Sequence, residues 1–144
     1  MGTRSLTVMM DEEGEEIVVM YRQFDGYPTG HGQDLANFLA RFKIVNGMSL
    51  KETPGRCANG AACLAAQVVE HFKTDSGVGG IYLHTAGTRD CGEEYLYEVQ
   101  PKVGENVKLT AYRGYNNLTQ FYHGFAQDFD GKKLEAANKE GDEE

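Results

Sequence analysis

The side-chain period of the chain changes from two to three-and-a-half across residues 21–32, YRQFDGYPTGHG, and that change restricts the folds open to it. Ahead of the switch, apolar runs at residues 6–10 and 17–21 flank an acidic segment, residues 11–16, that carries Gly14. Two strand-length runs around a short polar turn are a β-hairpin signature. Behind the switch, Leu35, Phe38, Leu39 and Phe42 recur at i, i+3, i+4 and i+7 from Gln33 onward, which is one apolar face of a helix. A chain that passes from paired strands into an amphipathic helix within a dozen residues is neither all-α nor all-β.

The remainder follows the same mixed plan. Asp34 in the first turn of the helix, Arg41 and Lys43 in its last, and Asn46-Gly47 beyond it suit the helix dipole and supply a stop. Asn59 is a natural N-cap for a second helix running to about Lys73. Ala61, Leu64, Ala65, Val68 and Phe72 form its stripe, while Ala62, Cys63, Ala66 and Val69 widen it beyond what a surface helix of a monomer requires. That excess marks a central helix packed on the first and bordering a subunit interface. Strands are expected at residues 80–85, 94–99, 107–113 and 118–122, separated by Gly, Asp, Asn and Pro clusters. The expected fold is therefore α+β: an N-terminal β-hairpin, two packed helices, an antiparallel sheet of about four strands, and a short C-terminal helix or tail. One domain, residues 1–131, is followed by an acidic tail, residues 132–144, ending EGDEE.

Charge narrows the partners. With 14 Lys plus Arg against 22 Asp plus Glu, a net charge of −8, the surface repels long nucleic acids. It does not exclude a small phosphorylated molecule, because one or two arginines make a local positive pocket on an acidic protein. Three cysteines with no CxxC spacing fit a reducing cytosol. No apolar stretch approaches the roughly 18 residues of a membrane span, so no membrane partner is expected. His31, His71, His84 and His123 lack the spacing that sets metal ligands on one helix face, and no GxSxG or Walker motif is present. Neither a metal, a cofactor nor an enzymatic activity is expected, and Cys63 reads as a small apolar residue within a helix.

Residues 21–32 have the composition of a binding site. A glycine-rich approach to a helix leaves backbone N–H groups to point at an anion, with Gly30, His31 and Gly32 as the cradle and Arg22 adding a charged donor. Phe24 and Tyr27 offer flat faces to a base or ribose. The competing reading is structural: Gly26, Gly30 and Gly32 shape a strand-to-helix connection and the aromatics complete the core. Two further places repeat arginine with amide or aromatic neighbours, Arg56 with Asn59-Gly60, and Tyr112-Arg113 with Asn116 shortly after. Arginine beside aromatic rings suits phosphate plus base, or a ring packed for stability alone.

YRQFDGYPTGHG followed by QDLANFL, VNG, ANGAACLAAQVVEHFK and GVGGIYL resembles the first family of phage Thoeris anti-defence proteins, over about residues 18–84. The resemblance implies a sponge that sequesters cyclic ADP-ribose immune signals without cleaving them, in the cytoplasm of the infected bacterial host. It implies a homo-oligomer built on dimers, with the nucleotide enclosed between protomers. Some members form hexamers with a separate site for cyclic trinucleotides. By position, His31, Gly30 and Gly32 would lie near a cyclic-nucleotide phosphate, with Arg56 and Arg113 serving the cyclic ADP-ribose pocket. Ala61 and Ala62 and the EGDEE tail depart from the family's pattern. Two rivals remain: a cyclic-nucleotide hydrolase using His31 or His123 as acid or base, and an interaction module whose apolar helix and tyrosine-rich sheet only assemble subunits.

Overall fold

The computed structural model describes residues 2–47, 57–76, 79–114 and 118–143. The N-terminal hairpin forms from β1 (Ser5–Met10) and β2 (Glu16–Arg22), closed by a turn in which the Asp11 carboxylate accepts the Glu13 and Glu15 N–H groups. Gly14 lies at φ +85°, where a side chain would be strained. A wide helical turn, Pro28–Gly32, leads into α1 (Gln33–Leu39). The short strand β3 (Lys43–Val45) pairs in parallel with β4 (Cys57–Asn59), and α2 (Gly60–Ser76) follows directly. Then come β5 (Ile81–Thr85), β6 (Tyr95–Gln100), β7 (Lys108–Arg113), β8 (Thr119–Phe125) and α3 (Gly131–Glu143).

The fold is α+β, and the hairpin and the later strands share one sheet of six, in the order β5-β2-β1-β6-β7-β8. Within this sheet every pairing is antiparallel except β1 with β6. The interior position of β1 follows from its composition: Leu6, Val8 and Met9 are all out of water, as are Ser5 and Thr7, so both of its faces are covered. One face of the sheet carries the main core, where Met9, Met20, Tyr97, Val99, Leu109 and Ala111 meet α1 and α2. The other holds a smaller cluster of Leu6, Val8, Val19 and Leu96, bordered by Tyr21 and Tyr112.

α2 is held by Leu64, Val68 and Phe72, each buried and each worth about 1.5–3 kcal/mol in apolar burial. Its contact with α1 runs through rings, with His71 stacked on Phe38 at 4.1 Å and Phe72 edge-on to the same ring. Its N-terminus is not capped by Asn59. The Asn59 side chain instead accepts the Gly47 N–H at 2.7 Å, and the Ala61 N–H donates to the Glu12 carboxylate of the hairpin turn at 2.9 Å. A β-strand pairing occupies Asn59, so the cap comes from a residue 49 positions away. The C-terminal segment is also more ordered in shape than a frayed tail: α3 is helical through Glu143 and docks on the Pro28–Gly32 turn.

Candidate functional site

The turn between β2 and α1 is organised around a buried histidine. Asp25 adopts a left-handed conformation, φ +61°, and its carbonyl accepts the His31 N–H at 2.7 Å. The Tyr27 carbonyl accepts the N–H groups of Gly30 and Gly32. These three N–H groups are thus consumed within the turn, and none is left to cradle an anion as the glycine-rich sequence suggests. The glycines are required sterically. A Cβ on Gly30 would run into the Asp25 carbonyl oxygen, and one on Gly32 would lie 2.8 Å from the Tyr97 hydroxyl.

The His31 ring is fully buried between Phe72 and Tyr97. Arginine can only donate, so Nδ1 accepts from Arg22 Nη1 at 3.0 Å, and Nε2 carries the proton and donates to Thr7 Oγ1 at 2.7 Å. Burial, assisted by the Arg22 charge, lowers its pKa from 6.5 to about 3 and keeps it neutral. Arg22 is itself fixed by donating from Nε to the Phe24 carbonyl at 2.8 Å, and Asp34 stands 3.9 Å from its Nη1. Arg22 and His31 are therefore tied to one another, and the Gly30 to Gly32 backbone is their frame.

Above this frame lies a cleft of about 270 Å³ lined by Tyr27, Tyr95, Arg113, Glu135, Asn138 and Lys139. Tyr27 comes from the Pro28–Gly32 approach, where its hydroxyl donates to the Asp25 carboxylate at 3.2 Å. That bond, with the negative charge of Asp25, raises the tyrosine pKa and keeps the phenol protonated. Tyr95 and Arg113 face one another across β6 and β7 in register, on the core side of the sheet. Tyr95 stacks at 6.4 Å on Tyr97, whose buried hydroxyl donates to the Gly26 carbonyl at 2.8 Å, so the cleft floor is locked to the glycine-rich turn. Burial holds the Tyr97 phenol well above the usual range. The third wall is α3. Glu135 Oε1 accepts from the Thr29 N–H and hydroxyl, and the Gln33 side chain accepts the Gly131 N–H at 2.7 Å while donating to the Phe129 carbonyl.

The residues singled out in the sequence divide accordingly. Tyr27 and Arg113, 86 positions apart, line one cleft. Arg22, Gly30, His31 and Gly32 support its floor without lining it. Phe24 is 55% exposed and lies outside it. Asn59 is at the end of β4, bonded to Gly47. Strand alternation turns Tyr112 to the opposite face from Arg113, where its hydroxyl donates to Glu98 at 3.1 Å. Burial first, and then Glu98, raises its pKa. Arg56 and Asn116 lie outside the described residues.

Sequence reasoning passed over Tyr95, Glu135, Asn138 and Lys139. Tyr95 was visible as a strand aromatic. The α3 residues were hidden in a polar segment, and only the single Leu134 signalled packing. Among the described residues no group of three or more His, Cys, Asp or Glu is placed to hold a metal, and no helix is long and apolar enough to cross a membrane.

No family model, curated protein or solved structure matches the chain.

Proposed function

We propose that the protein binds a small cyclic nucleotide of the cyclic ADP-ribose class in the Tyr27–Arg113 cleft and withholds it without cleaving it. One observation carries this reading: two tyrosine rings, an arginine and a lysine from four separate parts of the chain line one cleft, on a negatively charged protein. The rings suit a base or ribose, and Arg113 and Lys139 suit the phosphates. The resemblance of residues 18–84 to Thoeris anti-defence sponges supports the same ligand class. A cleft of 270 Å³ is small for an entire cyclic dinucleotide, which favours a site completed by a second protomer.

A surface for that protomer is at hand. Val18, Ala65, Ala66, Val69 and Leu83 line an apolar groove between α2 and the sheet edge, rimmed by Glu70 and Lys73, and Leu83 is 52% exposed. On this reading the chain is a homodimer or a higher assembly of dimers. Sequestration is favoured over hydrolysis because both ring nitrogens of His31 are engaged inside the protein, and His123 Nδ1 is paired with Thr110 Oγ1 at 2.8 Å.

Thermal unfolding tests the reading. Cyclic ADP-ribose isomers at about 100-fold excess over their dissociation constant should add about 2.7 kcal/mol of stability. Indifference to every isomer would leave the interaction-module reading.

A further inference from the structure

β5 is one edge of the six-stranded sheet and pairs only with β2 among the described residues. Its outward-facing backbone groups follow from the register. The Gln23 N–H donates to the Gly80 carbonyl at 3.3 Å, which makes those two residues a bonded pair at the head of the β2–β5 ladder. Bonded pairs recur at every second residue of an antiparallel ladder. Tyr82 and His84 therefore turn their N–H and C=O groups to β2, while Ile81, Leu83 and Thr85 turn theirs outward. Two of the three outward carbonyls are taken: Lys73 Nζ donates to that of Ile81 at 3.4 Å, and the N–H and hydroxyl of Thr88 donate to that of Thr85. Leu83 is left with both its N–H and its C=O open to a partner from outside.

This edge is also unguarded. Sheet edges are commonly blunted by Lys, Pro or a bulge. Residues 81–85, IYLHT, hold neither Lys nor Pro, and their pairing runs without a register shift, unlike that of the opposite edge strand, β8. The strand exposes Tyr82 and Leu83 by half. On the core face Leu83 enters the groove with Val18, Ala66 and Val69, whose rim carries an acid and a base three residues apart, Glu70 and Lys73. On the other face Tyr82 and His84 both contact the Tyr21 ring.

We infer that a second copy of this chain pairs with β5 in antiparallel across a two-fold axis at Leu83, so that one continuous sheet runs through both copies. Each Leu83 N–H donates to the Leu83 carbonyl of the other copy. Tyr82 of each copy then lies opposite His84 of the other, at the close spacing of a non-bonded pair. Glu70 and Lys73 give each groove rim an opposite charge to meet on its mate. A register slipped by two residues would centre on Ile81 or Thr85, whose carbonyls are already engaged. A strand from another protein would meet the same open rung but not the reciprocal Tyr–His and Glu–Lys matches, which favour a second copy. The inference builds on the dimer reading above and gives it a register; it requires no nucleotide.

The test uses ligand-free full-length protein. Light scattering should give the wild type an even multiple of 15.9 kDa and Leu83→Lys half that multiple, with circular dichroism unchanged because Leu83 is 52% exposed. Leu83→Cys supplies the positive arm. A bonded pair sets the two Cα atoms about 5.5 Å apart, within disulfide range. Oxidised glutathione should therefore link the greater part of Leu83→Cys into covalent dimers, and leave the wild type and Tyr82→Cys unlinked. A monomeric wild type would overturn the inference. So would a Leu83→Lys assembly of unchanged mass, or Leu83→Cys linking no better than Tyr82→Cys. Each of these results would leave nucleotide binding to be judged separately by titration.

Discussion

His31 should make the protein acid-sensitive through a single ring. Buried and neutral, with its pKa depressed from 6.5 to about 3, it contributes stability that is fully present above pH 6.5 and is lost as the pH falls toward 3, because the unfolded chain gains a proton that the folded one refuses. Taking those two values, the linkage relation gives a loss of about 2 kcal/mol between pH 7 and pH 5, and about 3 kcal/mol by pH 4. At an ordinary urea dependence for a domain of this size, the pH 5 loss corresponds to a midpoint lower by roughly 1 M. Other groups titrate in the same interval, so the measurement is a difference between the wild type and His31→Asn. Asparagine can keep an acceptor for Arg22 but not the bond to Thr7, and it leaves a small void. The variant should therefore be weaker at pH 7 by roughly 1–3 kcal/mol, yet it should lack the acid-dependent loss that the imidazole causes. Urea unfolding of both proteins at pH 7 and pH 5 decides the matter. Equal losses in the two would refute the assignment of a buried, neutral, doubly bonded histidine.

Three other changes separate the parts of the account. Gly32→Ala places a methyl 2.8 Å from the Tyr97 hydroxyl, so overpacking and strain on the bond to Gly26 should outweigh the helix propensity gained, for a net loss of about 1–3 kcal/mol in urea unfolding. Glu12→Ala removes the carboxylate that receives the Ala61 N–H and should cost about 1 kcal/mol, with the loss visible as earlier amide exchange in the first turn of α2. Arg113→Ala should weaken cyclic ADP-ribose binding by at least about 10-fold in calorimetry while leaving the oligomer unchanged by light scattering.

The longer elements were legible because their periods were clean, whereas β3 and β4, three residues each, were not, and Lys43, expected in the last turn of the first helix, lies in β3 beyond a helix that ends at Leu39. Leu35, Phe38 and Leu39 gave α1, the widened apolar stripe gave α2, and the strand-length run at residues 94–99 gave β6. How the strands join was not legible. The parallel partnership of β1 with β6 joins residues 90 positions apart, and nothing local at Ser5 or Tyr95 records it. The same non-local logic hid the cleft. Tyr27, Tyr95, Arg113 and Lys139 each looked ordinary in isolation, and α3 buries so little that its sequence reads as solvent-loving tail. His31 was legible as important but for a different reason from the one its neighbours suggest. A His between glycines resembles an anion cradle, whereas here the glycines allow Asp25 and Tyr27 carbonyls and the Tyr97 ring to close around it.

The central claim is retention of an intact nucleotide, and a capture-and-release measurement tests it most directly. The protein is incubated with a cyclic ADP-ribose isomer, filtered to measure the free ligand, then heat-denatured, and the released material is identified by mass. Depletion of the filtrate followed by recovery of the unaltered cyclic molecule is the predicted result. Recovery of a linear or otherwise cleaved product, or a filtrate never depleted by any isomer, would contradict it.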